Sequence, residues 1–171
     1  MRLKVTLITS NHDFEINDTG EKFVEGILSK PEIRICGIDF IVSEVSVLPE
    51  RKVKGREKLV TLSPIYASTS VGENGRRRIV DLYPKDSKFY ELILQNPVKK
   101  YVSYYKRTPE NLDFRMKPLN VKAKRIRLKD TYHRCVEMVF EAEGNPELLE
   151  VGYKAEFGFK NSMGFGMVKV V

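Results

Sequence analysis

At 171 residues, 42% hydrophobic and 31% charged, the chain is long enough to bury the core of one domain or of two small ones, which excludes a disordered or fibrous protein. No apolar run approaches the ~20 residues that cross a bilayer, and the opening MRLKVTLITS has no signal-peptide pattern; a cytoplasmic protein with no membrane partner is expected. The net charge of +7 is unevenly placed: residues 51–134 hold 22 Lys and Arg against 8 Asp and Glu, whereas residues 1–50 and 135–171 are net acidic. A basic middle suits a polyanion, RNA or DNA; the other reading is a heavily charged, solvated surface of the kind found in heat-stable proteins. Cys36 and Cys135 stand apart, with no CxxC pair and only two histidines, so a disulfide framework, a metal site and a cofactor are not expected.

The first predicted element is a half-buried strand in which Leu3, Val5 and Leu7 alternate with Lys4 and Thr6. Asp18 with Glu21 reads as a capping box for a helix that buries Phe23, Val24, Ile27 and Leu28 and stops near Pro31. Short strands follow over 33–35 and 40–47, turning near Gly37, and then a basic linker over 51–57. KLVTLSPIYAST opens a strand from Lys58, and the loop VGENGRRR, with Arg76, Arg77 and Arg78, leads into IVDLYP. Asp86 is placed to cap a helix carrying Phe89, Leu92 and Ile93. Asn96-Pro97 fits an N-cap followed by a first-turn proline, which predicts a separate helix over VKKYVSYYKR, with Tyr101 and Tyr105 covering the sheet. Strands over 119–128 and 132–142 are joined by KDT. Asn145-Pro146 repeats the cap-plus-proline signal, and that helix runs to about Ala155, ahead of a glycine-rich loop and a last strand.

From residue 58 to residue 171 the order strand, helix, strand, strand, helix, strand is the ferredoxin-like βαββαβ plan of an α+β protein, an antiparallel sheet with helices on one face. Residues 1–50 supply a strand, a helix and a hairpin, and read as a partial ferredoxin-like unit.

Two stretches carry chemistry. In GFKNSMGFGMVKVV the glycines follow a helix and precede a strand, the reverse of a dinucleotide fingerprint, and Gly-Lys is not followed by the Ser or Thr of a P-loop. Gly158, Gly164 and Gly166 would let a backbone approach a phosphate or sugar; Lys160 adds charge, and Asn161 and Ser162 add hydrogen bonds. A tight helix-to-strand turn in which Phe159, Met163 and Phe165 pack is the alternative. In LNVKAKRIRLKD, Val121 and Ala123 face one side and Lys122 and Lys124 the other. A bulge expected near Arg125 returns Ile126 and Leu128 to the apolar face and points Arg125, Arg127 and Lys129 outward, giving a basic ladder for phosphates or a solvated, edge-protecting strand.

NPELLEVGYKAEFGFKNSMGFGMVKV closely resembles the C-terminal signature of the CRISPR-associated repeat-RNA processing endoribonucleases of the RAMP superfamily, and VTLSPI, FYELILQNP and KPLNVKAKRIRLKDTYHR agree in order and spacing. The resemblance covers most of the chain from about Phe23. It implies two ferredoxin-like domains, binding of the repeat of precursor CRISPR RNA, metal-free cleavage giving a 2′,3′-cyclic phosphate, and a glycine-rich loop lying against the sheet cleft. One position departs from it: Glu156 stands where relatives often have glycine.

Metal-free cleavage uses a base, an acid and a cation, roles that histidine, tyrosine and lysine supply. The resemblance implies that these come from a first-domain segment with no counterpart here, so an RNA-binding protein without catalysis is expected. His12, in a loop, and His133, on the sheet face of Cys135 and Glu137, are the remaining candidate bases for an active endoribonuclease. A third reading is an interaction subunit that docks on a second copy or on another RAMP protein.

Overall fold

The computed structural model describes residues 19–35, 37–44, 52–73 and 76–171. The strand expected at Leu3–Leu7, His12, Asp18 and Cys36 lie outside these residues. The chain divides into two compact units, Met1–Arg51 and Lys52–Val171.

In the first unit, α1 (Thr19–Ser29) precedes a two-stranded antiparallel hairpin, β1 (Glu32–Ile35) and β2 (Ile38–Ile41). The turn passes through Gly37 at φ 82°, a left-handed conformation that glycine takes without steric cost. Leu28, expected inside, is exposed.

The second unit is ferredoxin-like. Its strands β3 (Arg56–Thr61), β6 (Phe114–Leu128), β7 (Thr131–Gly144) and β8 (Val168–Val170) form one antiparallel sheet in the order β6-β7-β3-β8. Helices α2 (Ser87–Tyr105) and α3 (Pro146–Lys154) supply the other layer. Phe89 and Ile93 of α2 and Leu149 of α3 are buried with Leu59, Val136, Met138, Phe140, Ala142 and Phe157. Each of the larger of these side chains removed from water contributes about 1.5–3 kcal/mol, so this cluster fixes the helices to the sheet. Alternation along β7 puts Val136, Met138, Phe140 and Ala142 on this face and His133 and Cys135 on the other.

Three sequence expectations are corrected here. Over its described residues, 52–57, the expected linker is no tether: Val53 is in the core, and β3 begins at Arg56. VGENGRRR is not only a loop, because β4 (Ser68–Glu73) and β5 (Arg76–Asp81) pair as an inserted hairpin that puts Arg76, Arg77 and Arg78 on a strand. Finally, α2 runs unbroken through Pro97. Phe89, Ile93, Pro97 and Tyr101, each four residues from the next, form one buried stripe, and its packing outweighs the hydrogen bond that proline cannot make. Tyr101 is fully buried as expected, whereas Tyr105 is about half exposed.

The caps differ in kind. Asn145 accepts from the amide of Glu147 at 2.9 Å, a bond that contributes about 1 kcal/mol, and Pro146 occupies the first turn as predicted. Asp86 sits at the N-cap of α2, but its carboxylate accepts from the amide of Tyr83 instead.

Candidate nucleic-acid interface

The β6–β7 hairpin extends past the end of β3, and the glycine-rich loop folds beside that extension. After α3 the chain turns at Glu156, whose φ of 64° is left-handed, so the residue that departs from the family pattern holds a backbone shape that glycine adopts more easily. Its side chain is buried rather than presented at the surface.

Two of the predicted glycines serve the chain's own packing. A Cβ on Gly166 would lie 1.9 Å from the carbonyl oxygen of Phe157, and one on Gly158 would lie 2.6 Å from that of Tyr66. These approaches allow the pins of the loop: Phe157 N–H to Gly166 O at 3.0 Å, Phe159 N–H to Tyr66 O at 2.8 Å, and Gly166 N–H to Pro64 O at 3.0 Å. Gly164, at φ 84°, has nothing within 4 Å and lies open. The Asn161 side chain also turns inward. Its Nδ2 donates to Phe165 O at 2.8 Å and Phe157 O at 3.2 Å, and its Oδ1 accepts from Lys100 Nζ at 2.8 Å.

Lys100 is the residue that the sequence did not mark. From α2 its ammonium reaches the carbonyl oxygens of Ala155 and Glu156 as well as Asn161. Burial lowers its pKa to about 8, against the opposing attraction of the Glu156 carboxylate. The loop is thus held from below by a partly buried cation.

What remains outward is narrower than the predicted set. Ser162 is exposed, Lys160 is partly exposed, and among the described residues none accepts from the backbone amides of Lys160, Asn161 or Ser162. Lys160 takes a left-handed φ of 58° and places Nζ 5.9 Å from the centre of the Tyr66 ring. That ring meets His133 edge-on at 5.0 Å and Phe165 at 5.9 Å, and its hydroxyl donates to Asp81 Oδ1 at 3.0 Å. Burial first, with Asp81 adding and Ser68 opposing, keeps the Tyr66 phenol above its ordinary pKa. Tyr66, Cys135 and Phe165, with Ile126, Leu128 and Phe159, form a second small core on the sheet face away from the helices. Burial, then Glu137, pushes the Cys135 thiol up to about 11, so it stays protonated and unreactive at neutral pH.

The hairpin corrects the sequence reading again. There is no bulge at Arg125; the register shifts between Pro118 and Asn120, where proline has no amide for the ladder. Pairing then runs straight from Asn120 to Leu128. Lys122 and Lys124 therefore share a face with Ile126 and Leu128, opposite Glu137, Cys135 and His133, and next to the glycine-rich loop. Arg125 and Arg127 fall on the other face, with Ala123, Tyr132 and Arg134. Lys129 is in the turn at φ 53°. Lys124 is paired with Glu137 at 3.1 Å, which leaves Lys122 as the exposed cation on the loop-side face of β6 between Asn120 and Leu128. Among the described residues no group of His, Cys, Asp and Glu could hold a metal ion, and no helix is long and apolar enough to cross a membrane.

The family model described as "CRISPR associated protein Cas6, C-terminal" matches residues 48–170. The CRISPR-associated endoribonuclease Cas6 1 of Methanocaldococcus jannaschii is 40% identical over 153 residues, which are 89% of this chain and 59% of that protein. A solved structure titled "CRISPR associated protein Cas6" superposes with a TM-score of 0.83 at 40% identity, over 92% of this chain and 65% of the other. Another, titled "An RAMP protein binding different RNA substrates", gives 0.82 at 30% identity, over 90% and 64%. The chain spans somewhat under two thirds of this Methanocaldococcus jannaschii relative and of two curated relatives from Pyrococcus furiosus. With the family model over more than half its length and a ferredoxin-like unit closed by this glycine-rich loop, the chain belongs to the Cas6 family of CRISPR-associated proteins.

Proposed function

We propose that this chain binds CRISPR repeat RNA, with the sugar–phosphate backbone lying on the sheet face shared by the glycine-rich loop and the loop-side surface of β6. The observation that carries this reading is one juxtaposition. Lys160, the unused amides at 160–162 and the open flank of Gly164 lie together on the loop, and Lys122 is on the same face of the sheet. Backbone N–H groups and a lysine bind phosphate oxygens without reading bases, and glycine lets the nucleotide come close. The net charge of residues 51–134 supplies the long-range attraction. Gly158, Gly166 and Asn161 shape this surface from within, and RNA of this kind places the protein in the cytoplasm.

Binding, rather than strand cleavage, is the role assigned to this face. His133 is 8% exposed and packed against Tyr66, which suits it to hold that ring in place and not to take a proton from a ribose hydroxyl.

Fluorescence anisotropy with labelled repeat RNA tests both points. Affinity is expected to fall steeply between about 50 and 200 mM salt, and Lys160→Glu to lower it about tenfold at fixed salt. Repeat RNA incubated with the protein in EDTA is expected to stay intact. Products ending in a 2′,3′-cyclic phosphate that vanish in His133→Ala would reverse the assignment.

A further inference from the structure

We infer that the opposite face of the same hairpin holds a second anion site, formed by Arg78, Arg125 and Arg134, that takes the phosphates of a single-stranded segment of the RNA. The inference rests on the RNA-binding reading above and extends it to a surface that the glycine-rich loop does not touch.

The straight register is the starting point. Arg125 and Arg134 are direct cross-strand partners on one face of β6 and β7. Like charges placed directly opposite each other weaken a strand pair. Among the described residues, no carboxylate forms an ion pair with Arg78, Arg125 or Arg134. Two opposed, exposed guanidinium groups without a neutralising partner are what an anion site looks like before its ligand arrives.

The inserted hairpin completes it. Arg78, Ile79, Val80 and Asp81 of β5 line a groove with Arg134 of β7, so two arginines share it, and Arg125 is the cross-strand partner of one of them. Asp81 also lines the groove, but its oxygens are committed: one accepts from the Tyr66 hydroxyl, the other from the Arg134 amide at 2.9 Å. Those bonds dock β5 against β7 and fix the groove.

The ligand class follows from what surrounds the cations. The Arg125 guanidinium carbon lies 3.9 Å from the centre of the Tyr132 ring, and Tyr132 is half exposed. Stacking at that distance holds the guanidinium plane rigid and keeps its N–H groups available for phosphate oxygens. Exposed arginines beside an exposed aromatic ring are a recurrent solution for single-stranded nucleic acid, in which bases are free to stack. RNA lying on the glycine-rich loop would therefore pass around the hairpin and be held on both of its faces.

The test compares two variants of the full chain, Arg125→Ala/Arg134→Ala and Lys160→Glu, by anisotropy across a salt series and by hydroxyl-radical footprinting of repeat RNA. For the double arginine variant, about tenfold weaker binding is expected, with a salt slope shallower by about 1.4, the value for two single-strand phosphate contacts. Its footprint should lose one block of protected nucleotides while the block that depends on Lys160 persists. Arg78→Glu, on an exposed strand, should lose the same block as the double arginine variant even if the latter folds poorly. Arg125→Lys/Arg134→Lys should recover the slope. If the arginine variants match the parent in slope and footprint while Lys160→Glu weakens binding, the second site is wrong and the first stands. If both variants lose the same nucleotides, there is one surface and not two. If the parent itself shows no salt-dependent binding, the RNA reading fails and takes this inference with it.

Discussion

Gly166→Ala is expected to cost at least about 3 kcal/mol of folding stability, measured as a lowered midpoint of urea unfolding. Two terms add. The backbone there has φ 89°, where an L side chain costs about 1–2 kcal/mol. The new methyl would also sit 1.9 Å from Phe157 O and 2.9 Å from Asn161 Nδ2, an overlap that only a shift of main chain can relieve. That shift breaks the Phe157–Gly166 and Gly166–Pro64 bonds that close the loop. Gly164→Ala is the control. It has a similar φ, 84°, but open space around it, so only the conformational term of about 1–2 kcal/mol applies. Equal losses at the two positions would show that backbone shape alone governs the loop and that the close approach at Gly166 does not matter.

Lys100→Met is expected to remove about 2–3 kcal/mol and to weaken RNA binding although it touches the loop from beneath. The ammonium donates to three oxygens, and its loss leaves Ala155 O, Glu156 O and Asn161 Oδ1 without that donor in a partly buried site. The pH dependence separates this from simple loss of packing. Lys100 has a folded pKa of about 8, below the 10.5 of an unperturbed lysine. Between those values the unfolded chain binds more protons, so the parent gains stability as pH rises through about 8 toward 10.5, and loses that gain as pH falls back through 8. The methionine variant lacks this contribution. The stability difference between parent and variant should therefore widen over that window when both are unfolded in urea. A difference that stays flat would mean the lysine is not desolvated by the loop.

The ferredoxin-like order was legible because each of its elements carries a local signal. Asn145-Pro146 announces α3 through a cap and a proline, and β7 alternates cleanly enough to assign His133 and Val136 to opposite faces. The failures arise where long-range packing overrides a local rule. Pro97 reads as a helix start until Phe89 and Tyr101 are seen to bury the same stripe. A single apolar face along the hairpin predicts a bulge at Arg125, whereas the distal hairpin has a second apolar face, made by Ile126 and Leu128 with Tyr66 and Phe165. That premise joined five cations into one ladder and concealed their division between two surfaces. Lys100 stands beside Lys99 with its Asn161 partner 61 positions away, and no periodicity singles it out.

The pins of the glycine-rich loop also constrain how the molecule assembles. Met167 N–H donates to Ser63 Oγ across 104 positions, and the neighbouring bonds to Pro64 and Tyr66 span comparable distances. Closing so large a stretch of chain is entropically costly and comes after local elements have formed. The glycine-rich loop is therefore among the latest parts to acquire its shape. Stopped-flow measurements on Gly166→Ala should accordingly show the lost stability in faster unfolding, with the rate of folding nearly unchanged.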